Sequence, residues 1–553
     1  MHAQTLPRET PTVNVAAHVT RIAKERPYAP AIFYPNGHDA RGRVRYTHYT
    51  YRQLDEASDN IARGLISIGL EPQTRVALMV RPSLELFSLV FGLFKAGLAP
   101  VMIDPGIGLK KMKSCLAKGR PEAFIGIPTA QIARLVMRWA RGSVRTVITV
   151  GSRGPWGGMT LDEIERRGAR SSAPLPTVDA ADLAAILFTS GSTGAPKGVV
   201  YSHGNFAAQV EAIRRMYDIR EGEIDLPTFP LFALFDPALG MTTVIPDMDP
   251  TRPAKANPLK IANAIDDFGV TNMFGSPALL NTLGRWGERE GRKLPSLRRV
   301  ISAGAPVPAH VLRRMRALMA DGGHVVTPYG ATECLPVASI ESREVLGGVD
   351  LEGTGARTEA GAGVCVGTPV PSADVVVIAI DDDPIADISK AEVVPTNVVG
   401  EITVCGPQAT ERYWEAPPQT RRAKIADGGR TRHRMGDLGY LDEAGKLWFC
   451  GRKTQRIQVA DRTYFTGKVE GVFNAHQNVF RSALVNVSGR PVVCLELEAG
   501  CVMPPTSELR ALANQHEATA GIERFLQHPS FPVDIRHNAK IRREELGAWA
   551  TER

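Results

Sequence analysis

The sequence predicts an α/β protein that is built from more than one domain. Short apolar runs of strand length alternate with longer amphipathic segments, as in residues 76–80 followed by 84–94. This βαβ order favours largely parallel sheets covered by helices. A chain of 553 residues is also too long for a single hydrophobic core. We therefore expect doubly wound βαβ sheets in a large N-terminal part and a smaller C-terminal part in which short strands and helices alternate.

The elements of the first 180 residues follow from local patterns. Residues 13–24 and 50–70 carry apolar side chains at helical spacing, which predicts two amphipathic helices. Pro82 favours the start of a third helix, because its missing N–H costs little in the first turn. Residues 151–176 are rich in Gly, Arg, Ser and Pro, which predicts an exposed connection.

From residue 203 onward the chain continues to alternate strand and helix signals, and it then becomes rich in strand signals. Residues 203–218 have the spacing of a helix, and a second βα series follows over 223–346. The glycine-rich residues 347–362 predict a loop. Strand-like runs separated by acidic turns over 364–408 predict a small β-rich subdomain.

The chain is basic, with a formal charge of +8 and a sequence pI near 9.1. The basic clusters at 110–113 and 313–316 lack interleaved aromatic residues, so we expect solvated helix faces and no nucleic-acid partner. A weak attraction to anionic lipid or to an acidic partner protein stays open.

Cysteine usage and the N-terminus bear on location. The seven cysteines include no C-x-x-C pair, which argues against both a disulfide framework and a zinc site. The first residues lack the apolar core of a signal peptide, and the apolar run 84–94 is too short for a transmembrane segment. We expect a cytoplasmic enzyme.

The most informative stretch is residues 187–198, Leu-Phe-Thr-Ser-Gly-Ser-Thr-Gly-Ala-Pro-Lys-Gly, which lies between two predicted strands. Glycines let a backbone approach a ligand closely, while N–H groups, hydroxyls and a lysine can surround an anion. The order differs from a Walker loop, which opens a helix after G-K-[ST]. The candidate phosphate ligands are Thr189, Ser190, Gly191, Ser192, Thr193, Gly194 and Lys197.

This stretch resembles the signature of the adenylate-forming superfamily, which includes acyl-CoA synthetases, luciferases and peptide-synthetase adenylation domains. The resemblance extends over most of the chain. It implies that the protein binds ATP and Mg²⁺ and converts a carboxylic acid into an acyl-AMP with release of pyrophosphate.

Further motifs follow in the order of that superfamily. The resemblance places Gly304, Ala305 and Pro306 against the adenine. Tyr329-Gly330-Ala-Thr332-Glu333 matches its Tyr-Gly-x-Thr-Glu, with a ring for adenine, a hydroxyl toward phosphate and a carboxylate for magnesium. Mg²⁺ typically takes few protein carboxylates and shares its shell with water and phosphate oxygens.

The C-terminal motifs complete the expected site. Asp437, in Arg-Met-Gly-Asp, matches the ribose-binding aspartate, and Arg452 is the expected second ribose or phosphate contact. Lys540 falls where the superfamily carries its adenylation lysine, although Ala539 replaces the usual glycine. The resemblance also predicts a hinge that separates residues 1–452 from a mobile C-terminal lid domain, 453–553.

Two departures concern the acceptor of the acyl group. Acyl-CoA ligases typically have His after Pro-Leu-Phe, where this chain has Ala233, and a glycine after the hinge, which residues 459–464 lack. Residues 232–253 look most like the β-lactone synthetases of bacterial olefin biosynthesis. That branch implies a long-chain β-hydroxy acid as the substrate, and the hydroxyl of the acid itself closes the ring. The predicted acyl-binding residues are Phe232, Phe235, Met273 and Gly275.

Alternatives remain at this point. A fatty-acyl-CoA or acyl-AMP ligase would use the same motifs with another acceptor. A catalytically inactive adenylation fold that serves as a scaffold is opposed by the joint presence of Lys197, Glu333, Asp437, Arg452 and Lys540. An association with other enzymes of the same pathway also stays open.

Overall fold

A computed structural model describes residues 13–189, 196–348, 352–533 and 541–553. Its strands in chain order are β1 Pro30–His38, β2 Val44–Thr50, β3 Arg75–Met79, β4 Ala99–Ile103, β5 Ala123–Gly126, β6 Thr146–Thr149, β7 Met159–Thr160, β8 Leu183–Thr189, β9 Lys197–Ser202, β10 Ile224–Pro227, β11 Thr242–Val244, β12 Asn272–Phe274, β13 Arg299–Ile301, β14 His324–Ala331, β15 Cys334–Glu341, β16 Val364–Pro369, β17 Asp374–Ile378, β18 Gly400–Cys405, β19 Lys424–Asp427, β20 Arg430–Leu441, β21 Leu447–Arg452, β22 Ile457–Val459, β23 Arg462–Tyr464, β24 Val479–Val487, β25 Arg490–Leu497 and β26 Arg524–Gln527.

The helices in chain order are α1 Val15–Glu25, α2 Tyr51–Ser67, α3 Leu84–Lys95, α4 Leu109–Gly119, α5 Pro128–Val136, α6 Leu161–Ala169, α7 His203–Met216, α8 Pro230–Ala233, α9 Asp236–Leu239, α10 Pro258–Phe268, α11 Pro277–Glu290, α12 Ala309–Leu318, α13 Ser342–Leu346, α14 Thr354–Glu359, α15 Pro417–Ala423, α16 Thr466–Asn474, α17 Thr506–Asn514 and α18 Arg543–Thr551.

The chain divides into two compact units. The first comprises Met1–Glu223 with Ala233–Thr243 and Tyr413–Glu415, and the second comprises Ile224–Phe232, Val244–Arg412 and Ala416–Arg553. The second unit therefore begins where the sequence predicts a second βα series. The predicted boundary between residues 452 and 453 stays a prediction.

The first unit contains a sheet with the strand order β7-β6-β5-β3-β4-β8-β9. Its strands are parallel except for β9, which is antiparallel to β8. Helix α2 begins where a capping box forms, because the Thr50 hydroxyl accepts from the N–H of Gln53 while the Gln53 side chain accepts from the N–H of Thr50. The predicted βαβ arrangement is confirmed.

The second unit contains strands in the order β17-β18-β20-β21-β16-β15-β14-β13-β12-β10. Strands β10, β12, β13 and β14 are parallel, while the pairs from β14 to β17 along this order are antiparallel. The antiparallel part contains the predicted β-rich subdomain.

The last hundred residues bury apolar side chains among themselves. One core joins Ile457, Phe473 and Leu495 with their neighbours, and a second joins Val485, Phe531 and Leu546 with theirs. Strands β24, β25 and β26 form a separate small sheet, and β22 pairs with β23. This alternation of short strands and helices agrees with the predicted α+β organisation.

Two expectations from composition are wrong. Residues 151–176 include β7 and the helix α6, since Thr160 and Glu163 form a capping box and Leu161 and Ile164 are buried. Residues 347–362 include the short helix α14, in which Thr354 is buried and its hydroxyl donates to the carbonyl of Glu344. In both places a helix forms inside a stretch whose glycine content favours a loop.

Candidate active site

The two ends of the predicted phosphate loop lie side by side. Thr189 ends β8, Lys197 begins β9, and these two residues are direct partners in the antiparallel pair. The ammonium of Lys197 lies 5.0 Å from the centre of the Tyr413 ring, so the charged end of this side chain contacts an aromatic ring of the same unit. The two strands that the sequence predicts on either side of this stretch are thus confirmed. Residues Ser190, Gly191, Ser192, Thr193 and Gly194 lie outside the described part of the chain.

The second unit gathers several predicted residues at the carboxyl ends of parallel strands. The N–H of Thr228, after β10, donates to Phe274 O at 3.0 Å, and the N–H of Gly275, after β12, donates to Ile301 O at 3.0 Å. Gly304 follows β13 with φ of 97°, a conformation that glycine adopts without strain. Gly304 and Pro306 are exposed and Ala305 is half-buried. Ligands of open α/β sheets bind at this edge.

The predicted acyl-binding residues differ in their surroundings. Phe232 is half-buried and stacks on Phe274 with the ring centres 4.1 Å apart. Met273 is fully buried within β12. A Cβ added to Gly275 would lie 2.7 Å from Leu280 Cδ1, so this glycine faces packed side chains.

Phe235 belongs to the first unit, whereas Phe232 belongs to the second. It lies 6.4 Å from Phe206, ring centre to ring centre, and Phe206 stacks on Tyr201. The acyl-binding role of Phe232, Phe235, Met273 and Gly275 stays a prediction.

The Tyr-Gly-Ala-Thr-Glu motif forms one end of a β-hairpin. Ala331 and Cys334 are partners across β14 and β15, so Thr332 and Glu333 occupy the turn between them. Gly330 is needed for close packing, because a Cβ there would lie 2.9 Å from the carbonyl oxygen of Cys334. The hairpin therefore presents the ring of Tyr329 and the carboxylate of Glu333 within a few residues of each other.

Asp437 lies between two groups that the sequence assigns to the same site. Tyr329 Oη donates to Asp437 Oδ2 at 2.7 Å, and Arg452 Nη1 lies 2.8 Å from Asp437 Oδ1. Asp437 and Arg452 are direct partners on β20 and β21. Burial raises the pKa of Asp437, and the charge of Arg452 and the hydrogen bond from Tyr329 oppose that rise. The structure thus brings these three residues together in one cluster.

The second oxygen of Asp437 fits a ligand hydroxyl. Although Arg452 is close, Oδ1 is buried and accepts no well-aligned hydrogen bond from the part of the chain that the structure describes. A buried polar atom without such a bond is costly. A carboxylate can accept from ribose hydroxyls, so this cluster fits the ribose of a nucleotide.

A buried ion pair fixes the backbone before Asp437. Arg434 Nη2 lies 2.6 Å from Glu401 Oε2, and both side chains are almost fully buried. Arg434 Nη1 also donates to Asp383 O at 2.6 Å, and Lys453 Nζ donates to Glu401 Oε2 at 3.1 Å. Glu401 thus joins the Arg-Met-Gly-Asp segment to the residue that follows Arg452. Sequence reasoning missed Glu401, which lies 33 residues before Arg434.

A buried lysine supports the carbonyl of Glu333. Thr410 donates to Glu333 O through its N–H at 2.8 Å and through its hydroxyl at 3.0 Å. Lys424 is 8% exposed, and its Nζ donates to the carbonyl and the hydroxyl of Thr410. Burial lowers the pKa of Lys424 to about 8, and the charge of Glu333 opposes that fall. The sequence around Lys424 carries no motif that indicates this role.

The remaining predicted features are placed as follows. Lys540 lies outside the described residues. Residues 459–464 form the hairpin of β22 and β23, and Ala460 in its turn has φ of 49°, a conformation that glycine would adopt more easily. Among the residues that the structure describes, no group of three or more His, Cys, Asp or Glu side chains is arranged to hold a metal ion.

Residues 19–414 match the family described as AMP-binding enzyme. The chain therefore belongs to this family, which agrees with the cluster around Asp437 and with the order of the motifs.

Two relatives match the chain from end to end. The olefin β-lactone synthetase of Xanthomonas campestris pv. campestris is 50% identical over 559 residues, with 99% of each chain covered. The olefin β-lactone synthetase of Stenotrophomonas maltophilia is 52% identical over 551 residues, which covers 97% of this chain and 98% of the relative.

Solved structures support the fold at lower identity. The amide bond synthetase from Marinactinospora thermotolerans is 24% identical with a TM-score of 0.76, covering 97% of this chain and all of that one. An o-succinylbenzoate coenzyme A synthetase from Bacillus subtilis in complex with AMP is 19% identical with a TM-score of 0.73, covering 96% and 97%. In the described ranges, no helix combines the length and apolar character needed to cross a bilayer.

Proposed function

We propose that the protein uses ATP to activate a long-chain β-hydroxy carboxylic acid as an acyl-AMP and then closes it to a β-lactone. The observation that carries this proposal is the end-to-end identity of 50% and 52% with two olefin β-lactone synthetases. The proposed place of the reaction is long-chain olefin biosynthesis, and the names of those relatives point to olefin formation.

The reaction balances in two steps. In the first, a carboxylate oxygen of the acid bonds to the α-phosphorus of ATP and pyrophosphate leaves. In the second, the β-hydroxyl oxygen bonds to the acyl carbonyl carbon, the hydroxyl proton is lost, and AMP leaves with the oxygen that came from the carboxylate. The nucleophile of the second step is part of the acyl chain, which gives it a high effective concentration at the carbonyl.

The residues support the first step in distinct ways. Asp437 offers its second oxygen to a ribose hydroxyl, and Tyr329 and Arg452 hold this carboxylate in place. Lys197 and the hydroxyls of the phosphate loop would meet the phosphates, and Lys540 would offset the negative charge that grows on the α-phosphoryl group.

Magnesium fits the donor set through Glu333. One carboxylate is enough for an ion that shares its shell with phosphate oxygens and water, so no larger group of protein ligands is required. The bound ion supplies charge neutralisation at the phosphates. Glu333 has its carbonyl fixed by Thr410, which orients the turn that carries the carboxylate.

The acceptor side of the proposal relies on two positions. Ala233 is fully buried where acyl-CoA ligases carry His, and Ala460 occupies the positive-φ position of a hairpin that lacks their glycine. A β-hydroxyl on the acid needs no external thiol. A dry, ordered site is sufficient for ring closure.

We also propose a cytoplasmic location and an association with other enzymes of the same pathway. The location is supported by six buried free cysteines, because oxidising compartments favour disulfides.

The test is product analysis with purified protein, ATP, Mg²⁺ and a long-chain β-hydroxy acid, with and without CoA. We expect AMP, pyrophosphate and a four-membered lactone, with no increase in rate from CoA. The acid of equal length without the β-hydroxyl is the control and should stop at the bound acyl-AMP. Formation of an acyl-CoA thioester at a comparable rate would contradict the lactone proposal and leave adenylation intact.

A further inference from the structure

One segment of the first unit is strongly basic. Residues 105–161 contain ten lysines and arginines and a single acidic residue, Glu122, which gives a net charge of +9. The whole chain carries +8, so all other residues together carry −1. This segment belongs to the first unit and includes α4 and α5.

Helix α5 exposes large apolar side chains on its outward face. Gln131 is fully buried and its amide donates to Ile148 O at 2.9 Å. Ile132, Leu135 and Val136 are 51%, 51% and 73% exposed. Their spacing places them on one face of the helix. An exposed apolar group of this kind on a short helix marks an interaction surface.

Helix α4 lies on the same face of the sheet as α5. The connections β4–α4–β5 and β5–α5–β6 cross the sheet in the same direction, and right-handed crossovers then place both helices on one side. Met112 and Leu116 of α4 and Ala133 of α5 pack in the same core cluster. At the start of α4, Leu109 is 57% exposed.

Exposed cations on α4 and in the residues that follow α5 lack acidic partners. Seven of them form no ion pair with any residue in the described ranges: Lys110, Lys111, Lys113, Lys118, Arg138, Arg141 and Arg145. We call these seven cations together with Leu109, Ile132, Leu135 and Val136 the α4–α5 surface. Its positive charge is therefore available to an external anion.

We propose that the α4–α5 surface docks onto an anionic phospholipid bilayer. Apolar side chains can enter the boundary between headgroups and acyl chains while the surrounding lysines and arginines meet the phosphates. An acidic partner protein could use the same cations, and it is an outcome of the test below. The inference is independent of the proposed function, although a bilayer is also where a long-chain acid would partition.

The test is co-sedimentation of the full chain with phosphatidylcholine vesicles, with and without an equal part of phosphatidylglycerol. We expect binding only to the phosphatidylglycerol vesicles. Binding should be lost in about 1 M sodium chloride, where the Debye length is about 3 Å.

Two variants test the two kinds of contact separately. Each cation near an anionic surface contributes about fivefold to partitioning, so K110Q/K111Q/K113Q should weaken binding on the order of a hundredfold. The variant I132S/L135S/V136S should weaken binding at least about tenfold, since apolar burial is lost. L259S/V393S, at exposed apolar positions in the second unit, is the matched control and should bind as wild type does.

ATP–pyrophosphate exchange and the unfolding temperature should be unchanged in all three variants, since none of these residues lies in the candidate site. Equal binding to neutral vesicles, no binding to either kind, or wild-type binding by both α4–α5 variants would overturn the proposal. Capture of an acidic protein in the absence of any vesicle binding would also overturn it.

Discussion

Arg452 Nη1 lies 2.8 Å from Asp437 Oδ1, across two adjacent antiparallel strands of the second unit. Tyr329 donates to the other oxygen of the same carboxylate. Asp437 and Arg452 are thus direct partners although fourteen residues separate them in the sequence. The pair orients the carboxylate and leaves Oδ1 free of well-aligned hydrogen bonds from the described residues, so this oxygen can accept from a ligand hydroxyl.

Asp437→Asn should raise the KM for ATP much more than it lowers kcat. A hydrogen bond to a charged group contributes about 1.5–3 kcal/mol, so the expected rise is on the order of tenfold to a hundredfold. ATP–pyrophosphate exchange with a saturating acid measures both constants. Tyr329→Phe, which keeps the ring and removes one donor, should show a smaller rise. An unchanged KM in the Asn variant would remove Asp437 from the nucleotide site.

Lys424→Met should change how stability depends on pH. The folded pKa of Lys424, about 8, lies below its ordinary value of 10.5, so the cost of the buried cation is fully present below pH 8 and disappears as pH rises toward 10.5. The wild type should therefore gain about 3 kcal/mol relative to the variant between pH 7 and pH 10.5. Urea denaturation across this range measures the difference.

Lys446→Met is the matched control for that experiment. The hydrogen bond to Glu344 raises the pKa of Lys446, so its stabilisation is present at pH 10 and is lost only at higher pH. The wild type should not gain on this variant between pH 7 and pH 10. A stability difference for Lys424→Met that does not vary with pH would show that this lysine is not a buried cation.

Phe232→Ala should change the preferred length of the acyl chain. Phe232 is half-buried against Phe274 at the carboxyl end of β12, so removing its ring opens space at the edge where ligands bind. Rates with acids of graded length measure the profile. Phe480→Ala, a partly exposed phenylalanine on β24, is the control. A profile identical to the wild type would place the acyl pocket elsewhere.

Gly275 is unsuitable for that test. A side chain at this position meets Leu280 and Leu279, so a large substitution would disrupt the packing of α11 before it reached any ligand. The structure therefore directs the experiment to Phe232.

Lys540→Ala should slow acid-dependent pyrophosphate release while ATP still binds. Loss of one group that stabilises developing charge costs about 10²–10³ in rate. Pre-steady-state release of pyrophosphate measures the step, and equilibrium binding of ATP is the accompanying control. A rate near that of the wild type would remove Lys540 from adenylation.

The sequence predicts the parts of this protein that depend on local pattern or on a matched motif. The amphipathic helix over residues 50–70 and the strands on both sides of the phosphate loop belong to this group. Asp437 and Arg452, which the matched motifs assign to the same site, are direct partners on adjacent strands. Helix α6 could also be predicted from the sequence, because Thr160 and Glu163 have the spacing of a capping box. The Gly, Arg, Ser and Pro content of residues 151–176 predicts an exposed connection instead, and that prediction is wrong.

The supports of the site could not be predicted in the same way. Thr410 reaches Glu333 across 77 residues, and the hydrogen bonds of Lys424 reach the carbonyl of Glu333 through Thr410. Glu401 forms a buried ion pair with Arg434, and no local sequence pattern predicts this contact. Such contacts arise from the register of β18, β19 and β20, which depends on tertiary packing.

Oxygen-18 labelling of the substrate tests the central claim most directly. The labelled acid carries oxygen-18 in both carboxylate oxygens and ordinary oxygen in the β-hydroxyl, and mass spectrometry follows the label into AMP and the lactone. Activation at the carboxylate followed by attack of the β-hydroxyl predicts one label in AMP and one in the lactone carbonyl, with an unlabelled ring oxygen. An unlabelled AMP with both labels in the organic product would show that the hydroxyl, and not the carboxylate, is activated, and would contradict the account.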